Sequence, residues 1–281
     1  MPLVTTANLV EAAQNKGRGV AAFNVITLEH AEAIAGGAER ADQGAILQIS
    51  ENAVRFHHGR LLPLLAAVVA LASEATSPLA VHLDHVEDQS LVRQAAGTGV
   101  SSVMFDASKL DYDANLAATT ETAKWAHDNG IWLEAELGEI GGKDGAHAPG
   151  VRTDPDDAVA FVAATHVDAL AVAVGSSHAM VDRTAALDLN LIRDLARTVP
   201  VPLVLHGSSG VPDDTLAAAV SAGMVKINIG TILNVAFTRA VRELLADNPD
   251  VVDPRKYLIP AREAIADEVA RLLDVIATPR S

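Results

Sequence analysis

Three of the ten histidines, His85, His178 and His206, each stand just beyond a short aliphatic run: VHLDH ends in the first, AVAVGSSH in the second and VLH in the third. Neutral imidazoles are good zinc ligands, and three of them around one ion leave a fourth position open to a substrate oxygen. An ion held in that way polarises a carbonyl and steadies negative charge developing on oxygen. Asp84 directly precedes His85. A carboxylate there either moves protons as a general acid/base or orients the neighbouring ligand, and the first role is the stronger expectation. The remaining histidines carry weaker signals. His82 alternates with Leu83 and is expected to face the surrounding helices or simply to pack. His57, His58 and His127 read as surface residues, His30 and His166 fall in helical or turn contexts, and His147 sits in a long irregular segment.

Other short apolar runs end in polar groups too. Asn24 follows VAAF, Ser50 follows AILQI, Asp106 and Ser108 follow SSVMF, Glu136 follows IWLEA, and Asn228-Ile-Gly-Thr231 follows VKI. In a barrel of parallel strands the C-terminal strand ends form one rim, and catalytic groups gather there. A purely structural barrel has no need of a polar residue at every such position. Gly207-Ser-Ser-Gly210 and Asn228–Thr231 are small, hydroxyl-bearing turns after the seventh and eighth runs. That is where this architecture holds phosphate, on the backbone N–H groups of a helix start. GSSG is not a G-x-S-x-G elbow, which argues against a serine hydrolase.

The elements that must position these groups alternate. Strands are expected at Val20–Phe23, Ala45–Ile49, Leu79–Leu83, Ser101–Phe105, Ile131–Ala135, Ala169–Val174, Leu203–Leu205 and Val225–Ile227. Helical stretches such as Leu28–Ala41, Gly59–Ser73, Ala114–Asn129 and Asp213–Ala222 lie between them. Eight strand–helix units predict an α/β fold, a closed (βα)8 TIM barrel, as a single domain over residues 1–281. An extra N-terminal helix would cap the bottom, and a C-terminal one over Pro254–Ile276 would pack outside or reach a partner subunit. A doubly wound sheet would need a Gly-rich turn after its first strand, and AAFNVITLEH has none. The Gly-rich segment from Leu137 to Thr153 reads as a loop over the site.

Composition narrows the partners. The net charge is −15, from 21 basic and 36 acidic side chains, so polyanions such as nucleic acid and anionic membranes are repelled. A small phosphorylated substrate is still compatible, because local amides bind it whatever the global charge. There is no cysteine, so any zinc site must use histidine and carboxylate. Hydrophobic residues make up 49% but aromatics only 3%, so the core is aliphatic. No apolar run reaches the roughly 20 residues of a membrane-spanning helix, and the N-terminus lacks a signal-peptide pattern. A cytoplasmic protein is expected.

The motifs AFNVITLEHAEAI, VHLDH, SVMFDAS, EAELGEIGG, AVAVGSSHAM, VLHGSSGVPDD, VKINIGT and DPRKYLIPARE occur in this order along nearly the whole chain. In this the chain resembles the class II, metal-dependent fructose-bisphosphate and tagatose-bisphosphate aldolases. The resemblance implies zinc on His85, His178 and His206, with Glu136 and Asp106 as a second or resting metal position. It implies Asp84 as acid/base and a loop carboxylate, here Asp144, as the group that returns a proton. It places Gly207, Ser208, Ser209, Asn228, Gly230 and Thr231 on the dihydroxyacetone phosphate end, Asn24 near the reacting carbons and Ser50 toward a distal phosphate. A sodium or potassium ion on loop carbonyls, and a homodimer or homotetramer, are also implied.

The chain departs from the family pattern in places. Its loop reads Gly141-Gly-Lys-Asp144 where GG-x-E-D is usual; Ala179 follows the second histidine in place of glycine, and Ser208 replaces the second glycine of HGGSG. Gly230 and Asn234 stand where many fructose-bisphosphate enzymes carry Asp and Arg, and the Arg meets the distal phosphate. Arg55 or a C-terminal arginine would have to replace it. The expected reaction is zinc-dependent cleavage of a ketose 1,6-bisphosphate, most readily fructose 1,6-bisphosphate, to dihydroxyacetone phosphate and glyceraldehyde 3-phosphate. Tagatose bisphosphate, or a ketose 1-phosphate giving an unphosphorylated aldehyde, is the alternative. Three rivals stand beside it. A Schiff-base aldolase would use Lys226, which shares the inward face of Asn228 but is better read as the partner of a carboxylate such as Glu134. A non-catalytic barrel would only bind sugar phosphate. A metal hydrolase would bridge two ions with Asp106 and Glu136.

Overall fold

A computed structural model describes residues 3–137, 152–177 and 180–277. Eight parallel strands close into a barrel in sequence order: β1 (Val20–Asn24), β2 (Ala45–Ser50), β3 (Leu79–Val86), β4 (Ser102–Phe105), β5 (Trp132–Glu136), β6 (Ala169–Ala171), β7 (Leu203–Leu205) and β8 (Met224–Ile229), which pairs with β1. Around them lie α1 (Thr6–Asn15), α2 (Leu28–Ala41), α3 (Glu51–Phe56), α4 (Leu61–Glu74), α5 (Gln89–Arg93), α6 (Tyr112–Asp128), α7 (Pro155–Thr165), α8 (Leu189–Thr198), α9 (Asp213–Ala222), α10 (Thr231–Asp247) and α11 (Pro254–Ile276). The barrel and both extra helices are as the sequence predicts.

Alternation along each strand sorts side chains into two compartments. Ala21, Phe23, Leu47, Ile49, Val81, Leu83, Val103, Leu133, Leu205 and Ile227 point outward and pack on the helices in one continuous aliphatic shell. The opposite face points into the barrel. Its lower part is an apolar plug of Val20, Ala22, Ile46 and Ala80, joined from below by Val10 and Ala13 of α1 and by Val225, which turns inward where the pairing of β7 with β8 slips. Thr5 starts α1 with a capping box to Asn8, which satisfies two backbone donors and fixes where the helix enters. Above the plug the interior turns polar: Gln48, His82, Asp84, Ser102, Glu134, Glu136, His206, Lys226 and Asn228 are all buried.

Several boundaries differ from expectation for local reasons. The helix expected from Gly59 begins at Leu61, because His58 and Gly59 both take left-handed backbone conformations (φ 58° and 72°) that end α3. The sixth strand stops at Ala171, not Val174. Beyond it Ala173 leaves the ladder and pairs with Thr153, donating to the hydroxyl at 2.8 Å and accepting from the amide at 3.0 Å. The third strand runs three residues further than expected, which matters below. Helix α11 packs outside the barrel across α2. Gly37 permits the close crossing: a Cβ there would meet the Ala266 carbonyl and Val269 at 2.6 Å. None of the described helices is long and apolar enough to cross a membrane.

Candidate active site at the C-terminal mouth of the barrel

Asp84 faces the interior by simple alternation with Ala80 and His82. His85 should then face outward, but the pairing of β3 with β4 slips between Leu83 and Val86. His85 takes φ 47° at this irregularity. A left-handed backbone costs a non-glycine residue roughly 1–2 kcal/mol, and a local bond helps to offset it: His85 Nδ1 lies 2.8 Å from Asp106 Oδ2. Asp106 is itself fixed, since its other oxygen accepts from the Ser108 amide at 3.1 Å and hydroxyl at 2.6 Å. Two adjacent residues thus both serve the mouth.

His206 stands one residue beyond β7, on the inward side. Its ring meets that of His85 edge to face, with centroids 4.6 Å apart. His206 Nε2 lies 2.9 Å from Glu134 Oε1, and Nδ1 lies 3.1 Å from Glu136 Oε2. Ligand atoms of Asp84, His85 and His206 lie within 4.8 Å of one another, and so do those of His85, Asp106 and Glu136. The two donor sets share His85. His178 and Asp144 lie outside the described residues. The neighbours of His178 do not: a Cβ at Gly207 would come within 2.6 Å of the Ser177 backbone, and one at Gly210 within 2.6 Å of Met180.

Charge in this region is concentrated and poorly hydrated. Burial works against a charged His85, but the Asp84 charge, the Asp106 bond and the Glu136 charge outweigh it, and its pKa is pushed up to about 10. Burial opposes the His206 proton as well, yet bonds to Glu134 and Glu136 hold it above the usual range. Burial would raise Asp106, but its bond to His85 leaves it below the normal carboxylate range. Without a metal, protons on the two rings therefore balance a cluster of carboxylates. A divalent cation would supply the same positive charge between the same donors, so the residues fit such an ion.

Asp84 is held from both sides. Asn228 Nδ2 donates to Oδ1 at 3.0 Å and Gln48 Nε2 to Oδ2 at 3.4 Å. Gln48 also donates to Asn24 Oδ1. These groups line a cavity of about 130 Å³ together with His85, Ser177, Gly207, Ser208, Ser209, Gly230, Thr231 and Asn234. The turn after β7 starts at Gly207 in a left-handed conformation (φ 65°). Ser208 Oγ donates to the Asn228 carbonyl. Ser209 Oγ accepts from the amides of Gly230 and Ile232 at 3.4 and 3.3 Å, at the start of the 17-residue α10. The cavity thus meets the positive end of a long helix and small hydroxyls, a setting suited to phosphate.

The structure brings Asn24, Asp84, His85, His206, Gly207, Ser208, Ser209, Asn228, Gly230 and Thr231 to one mouth, with Asp106 and Glu136 against the histidines. Ser50 is the exception. It sits beside Asp84 in register, but its hydroxyl accepts from the Ala53 amide as the cap of α3, and it is not among the cavity lining residues. Gln48, one pleat lower, takes the place on the cavity wall from β2. It is the only polar residue inside AILQI, so the signal was present in the alternation. His82 also corrects the expectation. It points into the barrel, fully buried, with Nδ1 2.7 Å from Ser102 Oγ; burial and then the Lys226 charge hold its pKa well below normal. Leu79, Val81 and Leu83 are the outward residues of that strand. Lys226 pairs with Glu134 at 2.8 Å, with no exposure on either side chain, which removes the support for a Schiff-base lysine. Gly230 has a local reason too: a Cβ there would lie 2.8 Å from Asn24 Nδ2.

The family model for class II fructose-bisphosphate aldolases matches residues 4–279. The chain belongs to the class II fructose-bisphosphate aldolase family. It is 39% identical over 273 residues to a probable fructose-bisphosphate aldolase of Bacillus subtilis, covering 96% of this chain and 95% of that protein. It is 37% identical over 303 residues to a fructose-bisphosphate aldolase of Thermus caldophilus, covering 98% of each. Among solved structures it superposes on the YdjI aldolase of Escherichia coli with a TM-score of 0.84 and 31% identity, over 98% of this chain and 97% of that one. As a member of this family the chain is an aldehyde-lyase of carbohydrate metabolism, and the family is metal-dependent.

Proposed function

We propose that this class II aldolase uses zinc to cleave a ketose 1,6-bisphosphate, fructose 1,6-bisphosphate first, to dihydroxyacetone phosphate and glyceraldehyde 3-phosphate. One observation carries the reading: Asp84, whose ligand atom lies within 4.8 Å of those of His85 and His206, lines one small cavity with His85 and the Gly207–Ser209 and Gly230–Thr231 cradle. Zinc held by His85, His178 and His206 would act as a Lewis acid toward the ketone and hydroxyl oxygens of the substrate. The chain's own residues divide the rest. The cradle binds the 1-phosphate on amides and hydroxyls. Asp84, oriented by Asn228 and Gln48, takes the proton of the C4 hydroxyl as the C3–C4 bond breaks. The electron pair of that bond remains on the dihydroxyacetone phosphate fragment, and Asp144 returns a proton to its carbon. Asn24 borders the reacting carbons.

The aldehyde end is less charged than a bisphosphate calls for. The described residues that line the cavity include no Lys or Arg, and Asn234 stands on its wall. That favours, as a second reading, a ketose 1-phosphate releasing an uncharged aldehyde. Retro-aldol assays on fructose 1,6-bisphosphate, tagatose 1,6-bisphosphate and fructose 1-phosphate, before and after EDTA and with zinc restored, test both. Loss and recovery of cleavage supports the zinc enzyme, and kcat/KM across the three ranks the substrates. Cleavage that survives chelation would sink the metal reading. Equal turnover of ketoses lacking the 1-phosphate would sink the cradle.

A further inference from the structure

Beneath the mouth a buried line of charge runs from Lys226 to His206. Lys226 Nζ lies 2.8 Å from Glu134 Oε2, and neither side chain is exposed. The other oxygen of the same carboxylate, Oε1, lies 2.9 Å from His206 Nε2. Glu136, one pleat nearer the mouth on the same strand, lies 3.1 Å from Nδ1. The ring hangs between two carboxylates of β5, Nε2 inward and Nδ1 toward the rim. Lys226 also donates to Asn228 Oδ1 at 2.6 Å, and Asn228 donates to Asp84 at 3.0 Å. Neither Glu134 nor Lys226 lines the cavity, so neither is placed to touch substrate.

We propose that Glu134 and Lys226 form a positioning pair that fixes His206 as its Nε2–H tautomer and presents Nδ1 to the metal ion. The inference rests on the metal-dependent reading above. A neutral imidazole has one donor nitrogen and one acceptor nitrogen. An ionised carboxylate only accepts, so a ring bonded to it through Nε2 must carry its proton there. Lys226 keeps that carboxylate charged where no water reaches it. A hydrogen-bonded carboxylate behind a ligating histidine fixes the ring and raises its basicity. A glutamine at 134 offers both a donor and an acceptor, so it no longer selects the tautomer. The competing account makes Glu134 only a counter-ion for Lys226, with no influence on His206.

Zinc affinity, measured by competition with a chromophoric chelator, separates the accounts, together with the visible spectrum of cobalt-loaded protein. Three proteins are compared: wild type, Glu134→Gln and the charge-balanced Glu134→Gln/Lys226→Met. The single variant should melt lower and bind zinc roughly 10–100-fold more weakly. The double variant should regain melting temperature but not affinity, and its cobalt spectrum should stay altered. A double variant with wild-type zinc affinity and spectrum overturns the proposal. Should the variants fail to fold, imidazole ¹⁵N shifts of zinc-loaded wild type decide. A proton on Nε2 and metal on Nδ1 of His206 are expected, and the reverse assignment overturns it. Wild type that binds no zinc would instead refute the metal-dependent reading itself.

Discussion

The lower and upper halves of the barrel interior are built on the same strands by the same alternation, yet they obey opposite rules. Below, Val20, Ala22, Ile46 and Ala80 fill the space with aliphatic side chains. One or two pleats higher, the same inward face carries Gln48, His82, Asp84, Glu134, Lys226 and Asn228. The plug contributes through burial and packing. The upper half contributes little net stability, because burying charge costs nearly as much as pairing it returns. What it provides is fixed geometry, since each carboxylate has more than one partner and few ways to move. An apolar floor beneath a charged mouth also keeps water from screening the charges from below.

The sharpest way to break the comparison is to neutralise one charge in the upper half. Asp84→Asn should lower kcat by about 10²–10⁴-fold, the range for losing a general base, with little change in melting temperature. Loss of fold with no specific effect on turnover would show that Asp84 belongs to the structural half. The converse change is Ile46→Ala in the plug. It should cost about 2–5 kcal/mol of stability, read by urea unfolding, while kcat/KM of the folded fraction stays near wild type. A plug variant that loses turnover while retaining stability would erase the distinction.

A smaller effect is expected in pH. In the metal-free protein the folded pKa of His85 is raised from 6.5 to about 10. Its proton binds the folded state more tightly than the unfolded one, so its contribution to stability is fully present below about pH 6.5. That contribution declines as pH rises and is lost as pH passes through about 10. Melting temperature of the chelated protein should fall across this window, and His85→Ala should flatten the fall. An unchanged slope in the variant would mean that other groups set the pH response.

Much of the site was legible because strand ends are legible. Short aliphatic runs between helical stretches are enough to place Asp84, His85, His206, Asn228 and Thr231 on one rim. Gln48 and His82 were legible in principle: both share parity with an inward neighbour, Gln48 with Ser50 and His82 with Asp84. Reading only strand ends passed over the first, and treating His82 apart from Asp84 misplaced the second. No sequence signal marks the slip of β3 against β4 that turns His85 inward. It is a mismatch between two strands, and neither strand encodes it alone.

The sequence by itself determined the eight strand–helix units, the aliphatic shell, the rim positions and the net charge of −15. Those follow from periodicity and composition, which are local properties of the chain. Only the tertiary structure decided that Glu134 of β5, the expected partner of Lys226, also meets His206 beyond β7, that Asn228 reaches Asp84, and that Gly230 makes room for Asn24. Such contacts join residues many positions apart. They are set by the stagger of the strands as the barrel closes, and that stagger is a property of all eight strands together.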